Sequence, residues 1–351
     1  MERDGNSHEV WIGCARTVAI AGVMVFHAGY RLALPNLITR MSFYCVVLFL
    51  LLGGFTAYLS MKRHASESYA AYLKRRLPPL LLPYLAVVCC YQFARAKCFV
   101  LPDMLYKTFT FSYEVHLYYI FLYLQYILAA PFLMRLIAAC NGAKRPYLAH
   151  ALALGLVTAF AYAAFRFTYL LPLAGNGRYL LGGNYLPCFY LGMVIAARNP
   201  LPGDTRGCAA AGAGAFVLWA GLVLAEIKFA HWTPKWVFSC WEFNPPSVVI
   251  VLQAVFLLFA CQGLFTVFSR LRATRRLTRL LDFIGGHSLY IYLYMLLIRS
   301  LVYNRLPIEN VHLLRLVTFG GMVLLPILGK KLWDLFWARL RRIGSAGQER
   351  A

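Results

Sequence analysis

Apolar residues recur in blocks of about twenty along almost the whole chain, with short polar segments between the blocks. A helix of about 20 residues crosses the hydrocarbon core of a bilayer, so each block predicts a membrane-spanning helix. The predicted spans are residues 11–33, 41–60, 77–97, 115–138, 146–166, 178–197, 207–229, 246–269, 282–303 and 311–332. We therefore expect an all-α polytopic membrane protein with about ten transmembrane helices.

The overall composition supports this fold class. The 351 residues are 61% hydrophobic and only 14% charged, and the mean hydropathy is +0.62. A water-soluble domain of this length has too little interior to bury so much apolar surface. No linker or low-complexity tract interrupts the chain, so we expect a single membrane domain over residues 1–351, with a core at 10–335 and a basic cytoplasmic tail at 336–351.

The distribution of positive charge predicts the orientation. An even number of spans puts both termini on one side, and most of the 35 lysines and arginines fall in segments on that side. The positive-inside rule then makes both termini cytoplasmic. We attribute the net charge of +22 to contacts with anionic membrane lipids rather than nucleic acid, because the basic segments lack interleaved aromatic residues.

Two ionisable residues stand out within the first span. Arg16 and His27 are eleven positions apart, which corresponds to a rise of about 16 Å and almost three whole turns, so both side chains leave the same face of the helix. Ionisable groups at such a depth are costly and usually line a cavity or a reaction path. We expect both to open onto one shared polar passage, although a structural role for His27 stays open.

Proton transfer within the spans would depend on histidine. No carboxylate lies at the middle of a span, since Glu114, Glu226 and Asp282 all lie at span ends. Many ion-coupled carriers need such a carboxylate, whereas histidine titrates near neutral pH. His27 is the strongest candidate. His116 begins the fourth span two residues after Glu114, and an interfacial cap would explain it equally well.

Other site chemistries find little support in the sequence. The ten cysteines form no C-x-x-C pair and show no Cys/His ligand spacing, so we expect no metal site. Cys98 and Cys240 lie in outward segments and could pair in an oxidising compartment. The tryptophans of segment 230–245 suit either lipid headgroups or a sugar-binding surface. No nucleophile elbow, P-loop or dinucleotide fingerprint occurs.

Several short segments carry a further pattern, in order, over roughly residues 10–300. Arg16 and His27 form an R-x10-H motif in the first span. The later segments are VVLFLLLGGFTAYL, YLKRRLPPLLLPYL, HLYYIFLYLQYILAAPF, FYLGMVIA and IGGHSLYIYLYMLLI. Together they resemble the signature segments of the acyltransferase-3 family of integral membrane acyltransferases.

Three positions depart from the pattern of that family. Gly53 stands where the second span usually has Ser, and Met295 stands where a His often follows I-Y-L-x. Tyr123 stands where one branch of polysaccharide O-acetyltransferases carries Glu. With this tyrosine and without an appended extracytoplasmic domain, the sequence resembles the shorter members of the family.

The resemblance implies transfer of an acetyl or other short acyl group from cytoplasmic acyl-CoA to a hydroxyl of an envelope polysaccharide or lipid-linked sugar. Acetyl-CoA would be a cosubstrate and not a tightly bound cofactor. The implied catalytic residues are His27, Arg16 and His116, and CoA phosphates would bind to Arg16, Arg75 and Arg76. The implied substrate-binding residues are Glu114, Tyr118, Gln125 and Tyr292.

Two alternatives to an acyltransferase are compatible with the sequence. A polysaccharide flippase or exporter would also be polytopic, with an aromatic and basic cavity, but it would need no acyl donor. A non-catalytic sensor or assembly partner would use Arg16 and His27 only as structural groups. Release of free thiol from acetyl-CoA by the purified protein separates the acyltransferase from both.

Overall fold

The computed structural model describes residues 10–29, 38, 41–96, 100–171, 176–198, 205–229 and 246–348, whose regular structure is helical. The first six α-helices are α1 (Val10–Gly29), α2 (Cys45–Arg63), α3 (Tyr69–Arg76), α4 (Pro78–Ala96), α5 (Leu101–Phe109) and α6 (Tyr118–Asn141). The others are α7 (Pro146–Leu170), α8 (Leu186–Arg198), α9 (Thr205–Phe229), α10 (Val248–Arg270), α11 (Arg275–Gly286), α12 (Ser288–Arg305) and α13 (Val311–Gln348). Two 3₁₀ segments, Val115–Leu117 and Gly177–Tyr185, lead into α6 and α8.

The described residues contain nine candidate membrane spans, and a bent pair of helices adds a tenth. This confirms the predicted fold class and the predicted number of about ten spans. Most boundaries lie within a few residues of the predicted ones. The third span is the exception, because it begins at Tyr69 rather than at residue 77 and so includes the basic helix α3.

The ninth predicted span, residues 282–303, is not one continuous helix. α11 and α12 meet at Gly286 and His287 with a bend of 71°. The exposed face of α11 carries both arginines and leucines, a combination that suits the membrane surface better than the hydrocarbon core. The expectation of a straight span from residue 282 is therefore wrong, and α12 begins at Ser288.

α1 and α11 approach so closely that their backbones are in contact. A Cβ atom on Gly285 would overlap the carbonyl group of Gly13. Thr17 donates a hydrogen bond to the carbonyl of Leu281, which ties the two helices together further. Small residues permit this approach between membrane helices, and hydroxyl side chains reinforce it. The contact fixes Arg16, on α1, next to the beginning of α12.

The segment Gly177–Tyr185 interrupts the regular helix of the sixth span. Gly182 and Gly183 have φ angles of 87° and 52°, which glycine tolerates because it has no Cβ. Gln125 of α6 stabilises the segment by donating to the Tyr179 carbonyl at 3.0 Å and accepting from the Gly182 N–H at 3.0 Å. The side-chain amide thus satisfies backbone groups that a regular helix would have satisfied itself.

Several sequence expectations lie outside the described residues. These are the possible Cys98–Cys240 pair and the tryptophans of segment 230–245, and both stay predictions. Helix α13 continues through Gln348, beyond the end of its candidate span at Phe336. Most of the predicted basic tail is therefore a helical extension of the last span.

Candidate active site

A cavity of about 380 Å³ lies beside the N-terminal half of α1. This volume is typical of small-molecule sites, which span about 300–1,000 Å³. The three arginines that the family resemblance assigns to CoA, Arg16, Arg75 and Arg76, all line it. On α2 its lining extends from Ala57 to Phe49, a rise of about 12 Å. The cavity therefore reaches from the arginines of α3 into the helical bundle.

The three arginines differ in their partners. Arg75 donates to the carboxylate of Glu67 from Nε at 3.0 Å and from Nη2 at 2.6 Å, and to the Ser60 hydroxyl from Nη1 at 2.9 Å. These hydrogen bonds from Arg75 lower the pKa of Glu67 below its ordinary value. Within the described part of the chain, Arg16 and Arg76 have no carboxylate partner. The cavity thus presents two guanidinium groups that an anionic ligand can bind.

His27 and His116 form a pair beyond the deep end of the cavity. Their ring centroids are 5.9 Å apart, with 65° between the ring planes. His116 is only 1% exposed. The backbone of Tyr292 and Leu293 lies beside it, but no group of the described residues meets either ring nitrogen in hydrogen-bonding geometry. Buried polar groups without partners are costly and rare, so His116 is a candidate for a functional role.

Tyr292 separates the cavity from the histidine pair. Its ring lines the cavity and lies 5.0 Å from the ring of His116, and its hydroxyl donates to the His116 carbonyl. Tyr119 lies 5.4 Å from Tyr292 on the same wall. Neither His27 nor His116 lines the cavity. The expected single passage from Arg16 to His27 is therefore interrupted by an aromatic wall.

Arg299 of α12 is a candidate site residue that the sequence patterns above did not single out. Its guanidinium donates a hydrogen bond to the backbone carbonyl of His27, at the end of α1. It also lies close enough to act electrostatically on the rings of His27 and His116. The signal was present in the sequence, because Arg299 is a lone cation inside the apolar run YMLLIRSLV. An ionisable residue inside an apolar span usually lines a cavity or a reaction path, and this holds for Arg299 as it does for Arg16.

The four predicted substrate-binding residues lie in different places. Tyr292 lines the cavity. Tyr118 stacks on Tyr179 with ring centroids 4.6 Å apart, and the amide of Gln125 is engaged with the segment before α8. Glu114 lines a separate, smaller pocket. The structure thus does not gather these residues into one site, and their substrate contacts stay predictions.

Two of the departures from the family pattern, Gly53 and Tyr123, contact each other on the cavity wall. A Cβ atom on Gly53 would lie 2.9 Å from Cε2 of Tyr123. The Tyr123 ring in turn lies parallel to that of Tyr119, with 7° between the planes. A serine at position 53 would compete with the tyrosine for this space. The two departures are therefore physically coupled.

The described residues contain no group of three or more His, Cys, Asp or Glu side chains placed to hold a metal ion. The chemistry available at this site is instead that of guanidinium, imidazole and phenol groups.

Comparison with known protein families identifies the family of this chain. The acyltransferase-3 family model, described as an acyltransferase domain, matches residues 9–330, which include the cavity, the histidine pair and Arg299. No curated protein and no solved structure matches the chain significantly. The matched region is nearly the whole chain and contains all the candidate membrane spans except the end of the last. The protein is therefore a multi-pass membrane acyltransferase that belongs to the acyltransferase-3 family.

Proposed function

We propose that the protein transfers an acetyl or other short acyl group from cytoplasmic acyl-CoA to a hydroxyl of a cell-envelope glycan or lipid-linked saccharide. The observation that supports this most is the order of three features along α1. A cationic cavity comes first, an aromatic wall follows, and the pair of His27 and the buried His116 lies behind the wall. These features correspond to donor binding, controlled access and proton transfer.

The arginines of the cavity suit the phosphates of CoA. Guanidinium groups bind phosphate oxygens through paired, charge-assisted hydrogen bonds. Arg16 and Arg76 supply two such groups, whereas the charge of Arg75 beside them is balanced by Glu67. The positive-inside rule puts this end of α1 on the cytoplasmic side of a bacterial-type inner membrane, where acyl-CoA is available. The narrow cavity would direct the thioester arm towards Tyr292.

The histidine pair would perform the proton transfers. His27 or His116 removes the proton of the acceptor hydroxyl, whose oxygen forms a bond to the acyl carbon. The thioester C–S bond breaks, and the histidine returns the proton to the CoA thiolate. Arg299 would stabilise the negative charge that develops on the carbonyl oxygen. The ring of Tyr292 must turn aside for the thioester to reach the pair, because it stands between them.

The test uses purified protein in lipid nanodiscs, radiolabelled acetyl-CoA and isolated envelope glycan. We expect wild-type protein to release free thiol and to form labelled ester on the glycan, and we expect His27→Ala to do both at least about 10²-fold more slowly. His312→Ala, at an exposed histidine where α13 begins, is the matched control and should retain both activities. Transport of glycan without thiol release would instead support a flippase and reject the proposal.

A further inference from the structure

A second pocket, of about 120 Å³, lies between α4, α12 and the segment that precedes α6. Its polar lining residues are Tyr91, Glu114, Ser300 and Arg305, and leucines of α12 form much of the rest. We call it the outer pocket, because the predicted orientation turns it towards the outside of the cell.

Helix α12 connects the outer pocket with the arginine-lined cavity. Ser288 and Tyr292 of α12 line the cavity, whereas Leu296 and Ser300 line the outer pocket. Tyr292 and Ser300 are eight residues apart, a rise of about 12 Å. The two binding spaces therefore lie at different depths along one helix, with the histidine pair between them.

Tyr91 connects the outer pocket with His116. The Tyr91 ring lines the pocket and lies 6.5 Å from the His116 ring, and its hydroxyl donates to the Leu293 carbonyl at 3.4 Å. Tyr292 contacts His116 from the direction of the cavity. The buried imidazole, whose nitrogens have no hydrogen-bond partner in the described residues, is thus one aromatic ring away from each space.

We propose that the outer pocket is the acceptor subsite and that it receives one uncharged, hydroxyl-bearing end of a saccharide. This inference depends on the proposed function, whose acceptor it defines more closely. The opposite charges of Glu114 and Arg305 balance each other, so the pocket has no excess charge to favour a phosphorylated sugar. Carboxylate, guanidinium and hydroxyl groups together satisfy sugar hydroxyls, which both donate and accept hydrogen bonds. Leucine side chains suit the C–H groups of a sugar ring.

The volume of the outer pocket limits how much of the acceptor enters it. The 120 Å³ of the pocket is well below the roughly 300–1,000 Å³ of cavities that enclose a drug-sized ligand, so it accommodates only a small end of the acceptor. The remainder of the glycan stays outside. The transfer follows the reaction proposed above. The acceptor O–H and thioester C–S bonds break, the new O–C bond forms, and the proton ends on the thiolate.

The experiment measures acetyl transfer from radiolabelled acetyl-CoA by the full-length protein in nanodiscs. The acceptors are the methyl glycosides of glucose, galactose and N-acetylglucosamine, with glucose 1-phosphate as the anionic comparison. Leu297→Trp fills the pocket, and Glu114→Gln removes the negative charge of the carboxylate, and with it half of its acceptor capacity, without changing size. We expect each variant to raise the KM for the glycoside by about tenfold or more, with the KM for acetyl-CoA within about twofold. Leu313→Trp, at an exposed leucine of α13, is the matched control and should match wild type.

Other results of this experiment would overturn either the acceptor subsite or the proposed acyltransferase function. A glycoside KM that stays at the wild-type value in both variants overturns the acceptor subsite, while the acyltransferase proposal stands. Two results overturn the claim that the acceptor is an uncharged end of a saccharide. One is transfer to glucose 1-phosphate that equals or exceeds transfer to the glycosides. The other is consumption of acetyl-CoA without transfer to any glycoside. Failure of wild-type protein to consume acetyl-CoA at all would overturn the proposed function instead.

Discussion

The arginine-lined cavity and the histidine pair lie along one face of α1, here called the stripe, but they differ in access and in charge. The cavity is open and collects positive charge, because Arg16 and Arg76 have no carboxylate partner in the described residues. In the histidine pair, His116 is enclosed by aromatic side chains and almost inaccessible, and it contacts the half-buried His27. Binding an anionic donor requires access and charge, whereas proton transfer benefits from a site that excludes water. One helix supplies both environments.

The largest expected effect is at the enclosed end of this stripe. His27→Ala should lower kcat by about 10²- to 10⁴-fold, the usual contribution of a general base. The KM for acetyl-CoA should change little, because His27 does not line the cavity. Steady-state kinetics on protein with wild-type thermal stability checks this. Retained transfer by a correctly folded His27→Ala variant would remove His27 from the mechanism.

Arg299 should behave like the histidines and unlike the cavity arginines. We expect Arg299→Gln to lower kcat by about 10²-fold, the loss typical of one group that stabilises an oxyanion. Arg299→Lys should restore part of the rate because it keeps the charge. In both variants the KM for acetyl-CoA should stay near the wild-type value. An increase in KM with unchanged kcat would place Arg299 in donor binding instead.

The open end of the stripe should show the opposite kinetic pattern. Arg16→Ala and Arg76→Ala should each raise the KM for acetyl-CoA by about 10- to 100-fold, the effect of losing a charged hydrogen bond. Arg16→Lys should be milder, since lysine keeps the charge but loses the bidentate geometry. Measurement of KM and kcat at several salt concentrations tests this. Equal effects of Ala and Lys at position 16 would show that guanidinium geometry decides, and equal activity of Lys and Arg would show that charge alone suffices.

The smallest expected effect concerns the ion pair at the cavity mouth. Glu67→Gln releases Arg75, so the KM for acetyl-CoA should fall by about twofold to threefold, in keeping with the small energies of exposed ion pairs. The pKa of Glu67 is lowered in the folded protein. Its ion pair therefore adds stability above the ordinary glutamate pKa of about 4.3 and loses it as the pH falls through the lowered value.

The thermal stability of wild type and Glu67→Gln should consequently differ at pH 7 and converge in acid. Asp103→Asn is the matched control, since it breaks a similar pair with Lys107 on α5, a helix that does not line the cavity. An equal change in the KM for acetyl-CoA in both variants would mean that net charge, and not Arg75, is responsible.

Hydrophobic patterning predicted most of the fold, because the thickness of the bilayer imposes a fixed length on each span. It could not predict the bend between α11 and α12. Residues 282–303 are apolar enough to resemble one span, and the break depends on how Gly285 packs against Gly13. Likewise, the partners of Gln125 lie in a segment more than fifty residues later in the sequence. Such contacts exist only in three dimensions.

The spacing of Arg16 and His27 was informative because one helix fixes it rigidly. The contact between His27 and His116 was not predictable, since it depends on how α1 packs beside the start of the fourth span. Arg299 was missed for a different reason. Its signal was local, a single cation in an apolar run, but arginines near span ends are common in this chain and histidines within spans are few.

The two attachments of α1 have a consequence for the choice of donor. Gly13 is fastened to α11 at one end, and the carbonyl of His27 is fastened to Arg299 at the other. These attachments hold α1 rigidly at both ends. The distance along its axis between Arg16 and His27 therefore stays at about 16 Å. In the proposed reaction, a donor that binds Arg16 and reacts at His27 must span that distance between its phosphates and its reactive carbon. Acetyl phosphate, whose anionic group adjoins its acyl group, is too short to contact Arg16 and His27 at the same time.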